Sequence, residues 1–68
     1  MSERERMSYE QLRDGLSQGR TLIQEEWANP SEIADTDKLI KEGYATADAW
    51  RYKDNYQCEM RKIYGIKQ

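Results

Sequence analysis

A strip of aromatic, basic and amide side chains recurs toward the C-terminal end of the chain, at the spacing of one helical face. They are Trp50, Lys53, Gln57, Arg61 and Tyr64, separated by steps of 3, 4, 4 and 3. Trp, Tyr and Arg are frequent interface hot spots, and a cation over an exposed aromatic ring adds about 0.5–1 kcal/mol. The pattern predicts a partner-binding strip. The alternative is that Trp50 and Tyr64 widen the core, with Lys and Arg stems lying over them.

A second stripe, in the first half of the chain, is a candidate dimer seam. Its members are Leu16, Gly19, Ile23 and Trp27, at steps of 3, 4 and 4. The chain has few apolar side chains to cover this stripe, and an exposed remainder favours a homodimer or a docked partner. Gly19 on the stripe is equally compatible with a close helix crossing.

The residue types of common catalytic and metal sites are missing. The chain has no His, the most frequent general base and metal ligand, and a single Cys, Cys58. Asp35-Thr36-Asp37 has the acid spacing that opens a calcium loop, but Leu39 and Ile40 replace the third acid and the required Gly. No Gly-rich phosphate loop is present. We therefore expect no enzymatic activity, no cofactor and no metal site.

The first predicted helix begins at a capping box formed by Ser8 and Gln11. Apolar or small residues then recur at helical spacing, which predicts a helix from about Tyr9 to Ala28. A glycine costs up to about 1 kcal/mol in a helix interior. A break at Gly19, with a new helix starting at Thr21, is therefore the alternative.

Two further helices are predicted. Asn29-Pro30 ends the first helix and caps a second, for which Gly43 is the natural end; a restart at Asp37 is the alternative. Thr46 caps a third helix from Ala47 to Tyr64. Its apolar stripe consists of Ala49, Tyr52, Tyr56, Met60 and Ile63. The sequence shows no alternating strand pattern and no Asn-Gly or Asp-Gly hairpin signal.

These elements predict an all-α fold: a small three-helix bundle, or a four-helix bundle if the first helix breaks. A chain of 68 residues is at most one domain, which we place at 8–68 with a flexible or frayed N-terminus at 1–7. Nine Leu and Ile residues, with no Val or Phe, mean that the core must draw on two Trp and five Tyr. The alternative is a chain that orders only on meeting a partner or on self-association.

The net charge, the cysteine count and the lack of long apolar segments indicate the compartment and the kind of partner to expect. No apolar run approaches the ~20 residues that span a membrane, and no secretory signal is visible. A single cysteine cannot form an internal disulfide. We expect a cytoplasmic protein with no membrane association. A net charge of −2 and a pI near 5.1 make nucleic acid the less favoured partner.

We expect the chain to be a small acidic protein–protein interaction module, a regulator or inhibitor that occludes the surface of a host protein or of a second copy. Compact acidic proteins of this kind are common among phage and mobile-element products. One alternative is a helix-turn-helix DNA-binding regulator with helices starting at Pro30 and Thr46, although the connection between them is too long for that motif. Another is a small subunit of a larger phage or bacterial assembly.

Overall fold

The described part of the chain contains two helices and a four-stranded antiparallel sheet. The computed structural model describes residues 7–52 and 58–68. The fold is α+β, so the predicted all-α bundle, whether of three or four helices, is wrong. The elements are α1 (Tyr9–Ser17), β1 (Thr21–Glu25), α2 (Pro30–Glu42), β2 (Ala45–Ala47), β3 (Arg51–Tyr52) and β4 (Glu59–Gly65). The predicted flexible N-terminus lies, apart from Met7, outside the described residues.

Helix α1 begins at the predicted capping box. The Ser8 hydroxyl oxygen accepts a hydrogen bond from the Gln11 backbone N–H (3.1 Å), and the Gln11 side-chain oxygen accepts one from the Ser8 N–H (2.9 Å). Leu12 and Leu16 are buried on one face of the helix. The helix ends after nine residues. Gly19, at φ 88°, takes the left-handed conformation that turns the chain away.

The predicted continuation of the first helix to Ala28 is wrong, because residues 21–25 form β1. The helix does end near Gly19, as the alternative predicted, but a strand follows instead of a new helix. Two of the five residues of β1, Thr21 and Ile23, have β-branched side chains, which pack better on a pleated surface than in a helix.

Helix α2 confirms the predicted second helix at both ends. The Asn29 side chain accepts a hydrogen bond from the backbone two residues on, and Pro30 occupies the first turn. Gly43, at φ 94°, closes the C-terminal end in the left-handed conformation. The Glu32 carboxylate in the first turn accepts a hydrogen bond from the Met7 N–H (2.9 Å), which joins the start of the described chain to α2.

The predicted third helix over Ala47–Tyr64 is wrong. That stretch contains the end of β2, then β3 and β4, with residues 53–57 outside the described part. Side chains three positions apart share a helical face but lie on opposite faces of a strand. Ile63 accordingly lies in the core on the helix side of the sheet while Met60, three positions earlier in β4, lies on the other face, so the apolar stripe that predicted a helix is divided between two faces.

Strand β4 lies at the centre of the sheet. It pairs with β1 on one side, and with β2 and then β3 on the other. Thr21 pairs with Tyr64 and Ala45 with Gly65, which fixes the register of each outer strand. Because both β1 and β2 are antiparallel to β4, they run parallel to each other, and α2 connects them.

Both helices pack on one face of this sheet. Their leucines meet the inward side chains of the strands in a single core, made of Leu12, Leu16, Leu39, Ala45 and Ile63. At most 2% of the surface of each of these residues is exposed. α1 has nine residues and α2 thirteen, and neither combines the length and the apolar composition that crossing a bilayer requires.

Candidate functional site

Two members of the predicted partner-binding strip, Arg61 and Trp50, lie together on the helix side of the sheet. The guanidinium carbon of Arg61 is 4.7 Å from the centroid of the Trp50 ring. Arg61 is only 8% exposed. Its Nη2 donates to the Gln24 side-chain oxygen (2.7 Å) and to an Asp37 carboxylate oxygen (2.8 Å), and its Nε donates to the same Gln24 oxygen (3.0 Å). The donors of Arg61 are thus directed into the protein rather than toward a partner.

Gln24 extends this network into α2. Its amide nitrogen donates to the hydroxyl of Thr36 (3.1 Å), a residue that is fully buried. Among the described residues, every buried side-chain nitrogen or oxygen has a hydrogen-bond partner. A satisfied buried network rigidifies the elements that it joins. It therefore holds α2 against β1 and β4, and we assign it a structural role.

Tyr64 lies on the opposite face of the sheet, in a separate polar cluster. Its hydroxyl donates to a carboxylate oxygen of Asp48 (3.1 Å), and the Lys62 ammonium is 5.6 Å from its ring centroid. The Nη2 atom of Arg51 lies 3.6 Å from the same carboxylate oxygen of Asp48. The hydrogen bond to Asp48 raises the pKa of Tyr64, and partial desolvation adds to this effect.

The predicted strip is therefore not assembled as one surface in the described structure. Trp50 and Arg61 lie on the helix side of the sheet and Tyr64 on the other. Lys53 and Gln57 lie outside the described residues.

The predicted dimer seam is divided between core and surface. Leu16 is fully buried, and Gly19 lies in the turn after α1. Ile23 and Trp27 are 63% and 67% exposed. The Trp27 indole nitrogen donates to the Glu25 carboxylate (2.7 Å), which holds the ring at the surface. Half of the seam thus remains as an exposed apolar pair at one edge of the sheet.

The hydrogen-bond pattern shows which backbone groups of β1 face this edge. Arg20 C=O accepts from Gly65 N–H (2.8 Å), and Glu26 N–H donates to Glu59 C=O (2.9 Å). Hydrogen-bonded and non-hydrogen-bonded pairs alternate along an antiparallel ladder. The even-numbered residues of β1 therefore bond to β4, and the backbone groups of the odd-numbered residues point away from the sheet.

These outward groups form what we call the β1 edge: the N–H and C=O of Thr21 and Ile23, and the N–H of Glu25. Within residues 7–52 and 58–68, no strand pairs with β1 on this side, and no hydrogen bond engages these groups. The C=O of Glu25 accepts from the Ala28 N–H (2.9 Å) and so closes the end of the strand. Unpaired edge groups are a template for another strand.

A groove of about 420 Å³ opens beside the β1 edge, between β1 and the first turns of the helices. Its apolar lining consists of Met7, Leu12, Leu22, Ile23, Trp27, Ala28 and Ile63. Glu32 and Asn29, from the start of α2, add polar groups at its rim. We call this the β1 groove. It combines an apolar floor with a strand edge, the two features that extended peptides use when they add to a sheet.

The opposite edge of the sheet is less suited to strand addition. β2 has three residues and β3 has two, with residues 48–50 between them outside any strand. Short and interrupted strands are a common way in which proteins protect an edge. By contrast, β1 is an unbroken strand of five residues. We therefore take the β1 edge and the β1 groove together as the candidate site.

The Cys58 thiol, near the end of β1, is buried in surroundings that disfavour its thiolate form. Cys58 is 3% exposed, and burial raises the pKa of its thiol, with the carboxylates of Glu25 and Glu26 adding to the shift. In the described part of the chain, no group of three or more Cys, Asp or Glu side chains is placed to hold a metal ion.

The sequence predicted part of this site. It placed Ile23 and Trp27 on a candidate dimer seam along a helix, and it took Thr21 only as a helix start. The backbone groups of the β1 edge have no signature of their own in the sequence. Comparison with protein-family models, with curated proteins and with solved structures found no match to this chain.

Proposed function

We propose that this chain is a small protein-binding module that pairs its β1 edge with an extended segment of another polypeptide. The observation that supports the proposal is the row of outward backbone groups at Thr21 and Ile23, in the longest exposed edge of the sheet. An added strand would satisfy those groups with main-chain hydrogen bonds, which supply affinity without depending on sequence.

The side chains around the edge would supply the selectivity. Alternate side chains of an added strand would point toward the helix side of the sheet, where the β1 groove has an apolar floor. The others would lie on the opposite face, next to Ile23. Exposed Trp27 lies just beyond the strand and is of a type common at interface hot spots. A partner segment with alternating apolar side chains fits this arrangement.

In this proposal the chain acts by occupying a surface and performs no chemistry, as a regulator or inhibitor does. The partner is another protein, from the host cell or a second copy. A reducing compartment such as the cytoplasm is part of the proposal, and it is supported by a lone, buried cysteine with no disulfide. A helix-turn-helix regulator is not proposed, because residues 45–47 form β2 where the recognition helix would begin.

Site-specific photo-crosslinking in the expressing cells tests this function. A photoreactive phenylalanine analogue replaces Ile23 in one variant and Tyr52 in the control. The two side chains are both 63% exposed, and both lie on outer strands, but at opposite edges of the sheet. We expect a discrete adduct from position 23 and a much weaker one from position 52.

The mass of the adduct identifies the class of partner. A shift by one further chain of 8.1 kDa indicates self-association, and any other discrete mass indicates a different protein. A ladder of regular masses would support the alternative of a subunit in a larger assembly. Equal labelling from the two positions, or none from position 23, would contradict a binding site at the β1 edge.

A further inference from the structure

We propose that the segment that pairs with the β1 edge is the β1 strand of a second copy of this chain, in an antiparallel arrangement centred on Ile23. This inference rests on the proposed function and names its partner. A two-fold axis perpendicular to the sheet, midway between the two Ile23 residues, would place these residues side by side. The two sheets would then continue as one, with the shorter strands β2 and β3 at its two ends.

The outward N–H and C=O groups of the β1 edge are placed as an antiparallel pair of β1 strands requires. In an antiparallel ladder, residues whose groups point across the seam must oppose each other. In the arrangement centred on Ile23, the backbone of Ile23 in one chain bonds to that of Ile23 in the other chain, and Thr21 opposes Glu25 of the other chain. Each of these residues has an outward N–H, and no described residue takes up the outward groups of Thr21 and Ile23. The Ile23 groups and the Glu25 N–H can therefore bond across the seam with no rearrangement of either strand, whereas the Thr21 N–H would share the Glu25 C=O with the Ala28 N–H.

Charge complementarity selects this register. Centred on Ile23, the pairing sets Arg20 of each copy opposite Glu26 of the other, which gives two oppositely charged pairs related by symmetry. Both side chains are exposed. One oxygen of the Glu26 carboxylate accepts a hydrogen bond from the Glu59 N–H of β4 (2.6 Å), so the pair with Arg20 would use the other oxygen.

Other registers that engage the same outward groups lose these pairs. Moving one strand by two residues sets Ile23 opposite Glu25 and Arg20 opposite Ala28. Moving it by two residues the other way sets Arg20 opposite Gln24. A shift of four places Glu25 of each copy directly opposite its equivalent, and like charges in that position are destabilising.

The side chains at the centre of the seam are also compatible with it. Two Ile23 side chains would meet on the outer face, where each is 63% exposed in the single chain. On the inner face, Leu22 of one copy would oppose Gln24 of the other, beside the two β1 grooves. Apolar and β-branched cross-strand pairs are among those that stabilise antiparallel seams.

Sedimentation equilibrium on the full chain tests this proposal. We expect a monomer–dimer equilibrium, with the dimer dominant by about 0.5 mM, because one short strand pair buries little area and binds weakly. Ile23→Lys places two ammonium groups side by side and should raise the dissociation constant at least about tenfold. Tyr52→Lys, the matched change at the opposite edge, should leave it unchanged. Circular dichroism checks that each variant is folded.

A charge-exchange experiment tests the register itself. Arg20→Glu and Glu26→Lys each place like charges opposite each other in a homodimer, and each should weaken self-association about tenfold. Mixing the two variants produces a heterodimer in which both pairs are again of opposite sign. Native mass spectrometry of the mixture should show that heterodimer in excess over either homodimer.

The outcomes separate this inference from the proposed function. A wild-type chain that stays monomeric to about 1 mM, or a dimer unaffected by Ile23→Lys, overturns self-pairing. If position 23 still crosslinks to a protein of another mass, the binding function stands with a different partner. Statistical mixing of the Arg20→Glu and Glu26→Lys chains would overturn the register centred on Ile23.

Discussion

Arg61 shows how the environment of one side chain decides its role. The sequence placed it on a binding strip, because Arg near Trp and Tyr is common at interfaces. In the structure the same guanidinium stacks on Trp50 and donates hydrogen bonds to Gln24 and Asp37. Asp37 is 58% exposed at its side chain, so that ion pair is screened by solvent, and the bond to buried Gln24 is the more important contact.

Replacement of Arg61 tests this structural role. Arg61→Met keeps much of the apolar stem but leaves the Gln24 oxygen without its donors, and we expect a loss of about 2 kcal/mol in the free energy of unfolding. Lys62→Met, at the exposed neighbouring position on β4, should change it by less than about 0.5 kcal/mol. Urea denaturation of the two variants makes the comparison. Similar small losses in both would mean that Arg61 is not needed for the fold.

Two glycines should respond in opposite directions to alanine. A Cβ at Gly65 would lie 2.6 Å from the Arg20 carbonyl oxygen and also against the backbone of Leu16. A Cβ at Gly15 would only meet the Arg20 side chain, at 3.6 Å. We expect Gly65→Ala to cost about 1–3 kcal/mol through overpacking, and Gly15→Ala to stabilise α1 by up to about 1 kcal/mol.

Thermal unfolding followed by circular dichroism measures both glycine variants. The pair serves as its own control, since each variant adds one methyl group to the chain. A Gly65→Ala chain as stable as the parent would show that α1 does not approach β4 as closely as described.

At the scale of elements, the helix ends could be predicted from the sequence and the strands could not. Ser8 with Gln11, Asn29 with Pro30, and Gly43 act through bonds or dihedral angles within a few residues. Such signals are present in the sequence itself, whatever the rest of the chain does. For this reason the start of α1 and both ends of α2 agree with the prediction.

The strands were missed because their hydrophobic pattern is reversed at critical positions. Inward-facing Gln24 and Arg61 are polar and satisfy each other, while outward-facing Ile23 and Tyr64 are apolar or aromatic. A half-buried strand is recognised by apolar side chains pointing inward. In β1 and β4 that alternation is absent, so a helical spacing of apolar residues appeared to be the better description.

The candidate site was predictable to a similar extent. Exposure of Ile23 and Trp27 follows from a shortage of apolar cover, which composition reveals. The β1 edge depends on which strand lies beside β1 and on which side. That pairing joins Thr21 to Tyr64, far apart in the chain, and no local pattern encodes it.

The contact between the two helices should weaken in alkali. The Tyr9 hydroxyl, at the start of α1, donates to the carboxylate of Glu42, at the end of α2, and this bond raises the pKa of Tyr9 above 10.0. The stabilisation is therefore complete below about pH 10 and is lost as the pH rises through the folded-state pKa. Tyr64 is shifted in the same direction by Asp48.

Urea unfolding from pH 9 to pH 11.5 measures this effect for the wild type and Tyr9→Phe. The phenylalanine variant lacks the titrating group, so its stability should fall less steeply over this interval. Tyr64→Phe gives the corresponding comparison for the other phenol. Parallel curves for all three chains would show that neither hydrogen bond stabilises the fold.

At the scale of the whole molecule, β1, β2 and β3 all pair with β4 in the part of the chain that the structure describes. The amides of β4 are enclosed by neighbours on two sides, whereas β1 has one neighbour. In amide hydrogen exchange on a dilute, monomeric sample, we expect slow exchange at Ile63 and fast exchange at Thr21 and Ile23. Leu22 and Gln24 are the internal control, because they lie in the same strand with their N–H groups toward β4.

The same amide exchange measurement, repeated at increasing protein concentration, tests self-pairing. If copies pair as proposed, Ile23 should become protected as the chain concentration rises, with little change at Leu22. Uniform fast exchange along the whole of β1 would mean that the strand itself is not stably formed. Equal slow exchange at Leu22 and Ile23 in the dilute sample would contradict an open edge.

The central position of β4 has a consequence for synthesis. A ribosome delivers β1, β2 and β3 before it delivers the strand to which all three must bond, so the nascent polypeptide holds unmatched strands and uncovered leucines until residue 65 has left the exit tunnel. The sheet can therefore be completed only after β4 has emerged. Any factor that delays the emergence of β4 prolongs the interval in which β1 can join a strand of a different chain.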